Sequence, residues 1–185
     1  MIKFLGLLSG KKKIDPNKAI SIYVALLDQV ISEGFVEIRN FINNNSNLEV
    51  NPNLQAYDID WFSDVVFLGN ISNLDSYFEE EEVVELRNLI LDTRHKDLSM
   101  NDQTLVIETF LVYEKYFNEL IFKYECPISA MAYAIFEKYN INSFQGDLFK
   151  KKNKPNPVFL NELKNVLSHF IWNWEDYLQK NKISF

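Results

Sequence analysis

Pro16 to Ile42 read PNKAISIYVALLDQVISEGFVEIRNFI, and the periodicity of this stretch sets the fold class. Plotted at 100° per residue, Ile20, Tyr23, Leu27, Val30, Ile31, Phe35, Ile38, Phe41 and Ile42 share one stripe, while Asp28, Gln29, Glu33, Glu37 and Arg39 fall outside it. Asp15 supplies a cap and Pro16 a first-turn proline. Gly34 lies inside the apolar stripe, where glycine costs about 1 kcal/mol against alanine, so a close helix crossing is expected there.

The helical period continues along the chain. A short helix is expected from about Asp60 to Leu68, and another from Ser76 to Arg94 with Val83, Leu86, Leu89 and Ile90 inward. Ser99 with Asp102 starts a long helix to about Tyr124, which Pro127 ends. Its apolar residues occupy nearly every side: Val106, Phe110, Tyr113, Phe117, Leu120 and Ile121 on one face, Leu111, Val112 and Phe122 towards the other. Such a helix is expected at the centre of the fold, covered on both sides. A fifth helix spans Ile128 to Tyr139, and Asn156 with Pro157 opens a last one to about Lys180. Leu160, Leu163, Val166, Leu167, Phe170, Ile171, Trp174 and Leu178 form its stripe. Trp172 points away from that stripe, among Asn161, Asn165, Ser168, His169, Asp176 and Gln179. No sustained alternation demands a sheet. The expectation is an all-α, single-domain bundle of about six helices over residues 1–185, with a long central helix and room for one short hairpin in 44–58 or 140–150. Residues 1–14 read as an N-terminal strap. Residues 140–156, with Gly146 and Lys150, Lys151, Lys152 and Lys154, read as a mobile basic loop. The asparagine run Asn43, Asn44, Asn45, Ser46, Asn47 reads as a connector without a role, because heavy use of Asn, Lys, Ile and Phe points to an A/T-rich, bacterial genome.

Charge divides the chain. With 19 Lys plus Arg against 26 Asp plus Glu, the net charge is -7, which excludes ordinary non-specific nucleic-acid binding through a basic face. Asn40 to Leu86 contains no cation and carries -10; the other 138 residues sum to +3. Local explanations cover single positions: Glu79, Glu80, Glu81 and Glu82 favour a helix N-terminus, and Asp60 is a plausible cap. They leave the absence of cations over 47 residues unexplained. Asp60 and Asp64 even form a like-charge pair at i, i+4. Tyr57, Trp61, Phe62, Phe67, Tyr77 and Phe78 are interleaved with these carboxylates, as anchors are with steering charges at interfaces. Trp61 belongs inside at helical spacing, and Tyr57 and Tyr77 are the better exposed. The expected partner-binding residues are Tyr57, Asp58, Asp60, Asp64, Asp75, Tyr77, Glu79, Glu80, Glu81 and Glu82, with Trp172 as a separate anchor or as a ring covered by the strap or the lysine loop.

No catalytic constellation is legible. Nucleophilic catalysis needs a base beside Ser, Cys or Thr, and His95 and His169 are the two histidines. Cys126 precedes Pro127 at a helix junction, a position more often packed than reactive. Gly6, Gly10, Gly34, Gly69 and Gly146 are too scattered to cradle phosphate. Asp92 and His95 stand at i, i+3, but no Glu-x-x-His motif accompanies them. Arg87 and Arg94 miss the Arg-to-His spacing of HEPN-type ribonucleases, and Asp58, Asp60 and Asp64 lack the glycine and final glutamate of an EF-hand loop. A non-enzyme without cofactor or metal is expected. One cysteine fits a reducing compartment, so the expected location is cytoplasmic. The run Phe4 to Leu8 is too short for a signal peptide, and no integral membrane segment is expected.

In its size, acidity and carboxylate-rich segment the chain resembles in type the bacterial immunity proteins that neutralise cognate toxins. The resemblance carries no residue over by position. It implies a protein partner, expected to be a basic toxin, bound through the acidic face by electrostatic steering. The rival expectation is a helical enzyme or ligand-binding domain with a pocket among Tyr113, Tyr116 and Tyr124 of the long helix. An adaptor in a phage or secretion system is a third.

Overall fold

Asp15 caps the first helix as expected: its carboxylate accepts the N–H of Lys18 at 3.3 Å, and Pro16 fills the first turn of α1, Pro16–Asn43. The computed structural model describes residues 11–185. The first ten residues of the expected strap, with the run Phe4 to Leu8, lie outside them. The helices that follow are α2 (Ile59–Ile71), α3 (Glu80–His95), α4 (Met100–Tyr124), α5 (Pro127–Lys138), the single turn α6 (Asp147–Lys150), α7 (Pro157–Leu167) and α8 (Trp174–Lys180). The fold is an all-α bundle.

The described part of the strap, β1 (Lys12–Ile14), pairs in parallel with β2 (Asn181–Ile183), so that Ile14 and Ile183 are buried side by side. Among the described residues neither loop forms the hairpin allowed for it. The two loops instead meet in one antiparallel bridge, Leu48 with Gln145. Gln145 is buried, donates to Asn142 Oδ1 and the Lys154 carbonyl, and accepts the Asn156 N–H at 2.5 Å. The expected mobile loop is therefore tied down through one amide. Asn43 likewise clamps Leu54 at two points, accepting its N–H at 2.8 Å and donating to its carbonyl at 3.0 Å. That gives the asparagine run a structural role that its composition concealed.

The central position belongs to α2 rather than α4. Nine of the 13 residues of α2 are buried, against three of 25 in α4: Phe110, Phe117 and Leu120. α4 packs on α5, α2 and α3 from one side, and its outer side exposes Leu105 (64 %), Val112 (67 %) and Phe122 (89 %). The interspersed Glu108, Thr109, Lys115, Asn118 and Glu119 are exposed too, which marks this as the solvent side. Gly34 and Gly69 make the close approaches in the core. A Cβ on Gly34 would lie 2.6 Å from the Phe170 ring, and one on Gly69 would collide with the Met131 sulfur.

The last helix is not continuous. α7 ends in a 3-10 turn, Ser168–Phe170, Ile171 is extended, and Asn173 caps α8 by accepting the Asp176 N–H at 3.0 Å. Trp172 sits in this break instead of on an outer helical face. Finally, α1 carries a window of mean hydropathy 1.5 and is long and apolar enough by composition to cross a membrane, contrary to the expectation that no stretch reaches this. Ten of its residues, among them Ile20, Tyr23, Leu27 and Phe35, are buried in the bundle.

Candidate functional site

The turn before α2 is built to hold one corner still. Asp58 closes a 3-10 turn, Ala56–Asp58, by accepting the Gln55 N–H at 2.7 Å, and the Tyr139 hydroxyl donates to the Asp58 carbonyl at 2.6 Å. This fastens the start of α2 to the end of α5. Tyr57 is left 75 % exposed beside exposed Asp60. Asp60 joins none of the three ion pairs among the described residues.

Tyr57, Asp58 and Asp60 line a cleft of about 520 Å³ together with Leu105, Val106 and Tyr113 of α4, buried Trp61 and exposed Lys138. A second cavity of about 380 Å³, lined also by Val112 and Tyr116, shares Trp61, Tyr113 and Lys138 with it. Trp61 and Tyr113 meet edge to face with centroids 4.4 Å apart. The Lys138 ammonium lies 4.8 Å from the Trp61 ring and 5.2 Å from that of Tyr113, inside the range for cation–π attraction.

Asp64 lines the same cleft, but its carboxylate is taken by Arg94 at 2.7 Å. Arg94 also donates to Ser63 Oγ at 2.9 Å and lies 4.4 Å over the Phe67 ring. The cation missing from the acidic segment is thus supplied from just beyond it. Next to Arg94, His95 is buried, and burial and then the Arg94 charge push its imidazole below the ordinary range, with Asp64 opposing.

The remaining acidic candidates stand elsewhere. α3 rises about 1.5 Å per residue, which puts Glu80 roughly 20 Å along the axis from Arg94 and Asp64. Asp75, Tyr77 and Glu79 to Glu82 gather at that far end, where Glu82 accepts the Glu79 N–H at 3.1 Å. Tyr77 and Glu82 share a small cleft of about 280 Å³ with Lys11 and Lys182, so cations border this end. The acidic segment therefore makes two separate corners and not one face. Trp172 belongs to neither. It is half-buried against Tyr23 (centroids 5.5 Å), Trp174 (6.2 Å) and Tyr177 (6.1 Å), so among the described residues these rings cover it.

Another cleft, of about 920 Å³, lies between the end of α4 and the 153–161 segment, and Tyr124 and Tyr133 stack in it at 3.7 Å. Among the described residues no group of three or more His, Cys, Asp or Glu is placed to hold a metal. Cys126 is half-buried at the start of α5; burial raises its thiol, but hydrogen bonds from Ser129 leave it net below the ordinary range.

Lys138 is the site residue that sequence reasoning missed. A lysine in the last turn of a helix already has a reason to be there, the C-terminal dipole, so nothing local marks it. Compared with protein-family models, with curated proteins and with solved structures, the chain gives no match.

Proposed function

We propose that this protein is a non-enzymatic protein-binding module that captures a basic partner at the Tyr57–Asp60 corner, acting as an immunity protein against a cognate cationic toxin. The observation that carries this reading is the cleft mouth. A 75 % exposed tyrosine and an exposed carboxylate without an ion pair among the described residues flank an apolar wall ending in Leu105, itself 64 % exposed. An exposed aromatic beside a charge and apolar surface is the composition of a protein-binding hot spot. Asp58 supports it from the rim, and Asp64 acts through Arg94, keeping α2 and α3 in place behind it. Glu79 to Glu82 contribute long-range attraction and no direct contact.

The test is affinity capture with the full chain, followed by co-expression. Wild type should retain a basic protein whose binding weakens with salt and whose toxicity the chain suppresses in growing cells. Tyr57→Ala with Asp60→Asn should lose both capture and protection, while Glu80→Gln with Glu81→Gln keeps them. Capture and protection indifferent to the corner substitutions would exclude this site.

A ligand-binding reading has one observation in its favour. Tyr113 and Tyr116 do line a cavity, of about 380 Å³, and Tyr124 lines the 920 Å³ cleft. A small molecule that raises the melting temperature by several degrees, and does so less in Tyr113→Ala or Tyr124→Ala, would favour it.

A further inference from the structure

Lys138 ends α5, where a lysine normally reaches into water near the terminal carbonyls. Here the side chain is exposed but its ammonium folds back over two aromatic rings, 3.5 Å from the Tyr113 hydroxyl, and it takes part in none of the three ion pairs among the described residues. It borders both the 520 Å³ cleft and the 380 Å³ cavity. Trp61 borders both as well. It is 8 % exposed, and its indole N–H is buried with no acceptor among the described residues. Asp58 and Asp60 stand at the outer rim. The corner thus combines aromatic walls and a carboxylate rim, and it already holds a cation of the chain's own.

Resting on the reading above, we propose that Lys138 is an internal stand-in for the partner's cation. On docking, an arginine of the basic partner takes its place on Trp61 and Tyr113 and pairs with Asp60, and the exposed Lys138 side chain swings off the rings. The exchange favours arginine for a chemical reason. A planar guanidinium stacks on an indole and still offers a fork of donors to a carboxylate, whereas an ammonium is more strongly hydrated and makes one contact at the expense of the other. The resident lysine also raises the threshold for capture, because a cation that binds the rings no better than Lys138 gains nothing by entering. That is specificity by exclusion.

The experiment uses the full chain and an octa-arginine peptide, with dissociation constants from calorimetry at low salt. Lys138→Met keeps the stem and removes the charge, so the peptide should bind about fivefold or more tighter than to wild type. Lys150→Met makes the same change in net charge on the exposed 150–154 segment and should alter binding less than about twofold. Adding Asp60→Asn or Trp61→Phe to Lys138→Met should reverse the gain. Asp60 is exposed, so its variant remains informative if Trp61→Phe unfolds the chain. The Trp61 indole N–H should shift in the NMR spectrum when peptide is added, and further in Lys138→Met. If Lys138→Met binds no tighter than Lys150→Met, or does not bind at all, the stand-in role is wrong. Should Asp60→Asn still weaken wild-type binding in that case, the acidic corner survives. Indifference of both backgrounds to Asp60→Asn and Tyr57→Ala would remove the corner as well.

Discussion

Asn70 holds the end of the chain onto its middle. It is 1 % exposed; its amide donates to the carbonyls of Val66 (2.9 Å) and Phe170 (2.8 Å), and its Oδ1 accepts the Trp172 N–H at 2.7 Å. Two of these groups belong to the break between α7 and α8, so they have no helical partners of their own. Asn70→Leu should therefore leave a buried N–H and a buried carbonyl unpaired and lower stability by about 2–4 kcal/mol in urea unfolding, far more than substitution of exposed Asn44. A cost below about 1 kcal/mol would mean that the break holds itself. Nothing in the sequence singled Asn70 out, because in an asparagine-rich chain one more asparagine carries no signal. The cap before α8 was legible: Asn173 and Asp176 stand three apart, but the apolar stripe ran on across them at helical spacing and outweighed that pair. A stripe records which residues face inward, and inward-facing residues on either side of a bend satisfy it equally well.

At the level of elements, the order of α1 to α5 followed from period, caps and prolines, all of which are local, although α2 runs on to Ile71 and α3 starts at Glu80 and not at Ser76. Depth in the fold did not follow, because it depends on which neighbours are present. α4 was expected at the centre from its all-round apolar composition and lies on a flank, whereas α2, too short to show a periodic contrast, is the one surrounded. A helix on a flank needs a fastening, and Arg87 of α3 provides it. Its guanidinium grips Glu114 of α4 with two bonds of 2.7 and 2.5 Å, and that hydrogen-bonded carboxylate raises the arginine's pKa despite burial. Glu114→Ala should cost about 1–3 kcal/mol, since it strands a half-buried guanidinium. The loss should appear first as faster amide exchange in α4, with the amides of α1 and α2 changing only as far as global stability does. Uniform acceleration through all the helices would show that α4 does not open independently. The candidate site inherits this arrangement: its apolar wall is α4, and Glu114→Ala should weaken capture of the basic partner without touching the cleft itself.

Over the whole molecule, the contrast between -10 in 40–86 and +3 elsewhere is real in sequence and largely dissolved in space. Arg94 and Lys138 come to one acidic corner, and Lys11 and Lys182 to the other. The composition of the site was legible as far as Tyr57, Asp58 and Asp60; the cations that complete it come from distant positions and were not. One of these contacts couples the site to solution pH through folding. His95 follows Arg94 and is 7 % exposed, and burial together with the Arg94 charge holds its pKa below the ordinary 6.5. In the unfolded chain it takes a proton near pH 6.5, and in the folded chain only at lower pH. Below 6.5 the unfolded state therefore binds more protons, and acidification favours it. Stability from this group is complete above pH 6.5 and is lost as pH falls from there towards the folded pKa, by up to about 1 kcal/mol between pH 6.5 and 5.5. Carboxylates titrate mainly at lower pH, so the two effects are separable. Urea unfolding of wild type should show this decline and His95→Leu, which has no proton to bind, should be flat over the same interval. If the leucine variant declines in parallel with wild type, protonation elsewhere drives the loss, and His95 is not held below its ordinary range in the fold.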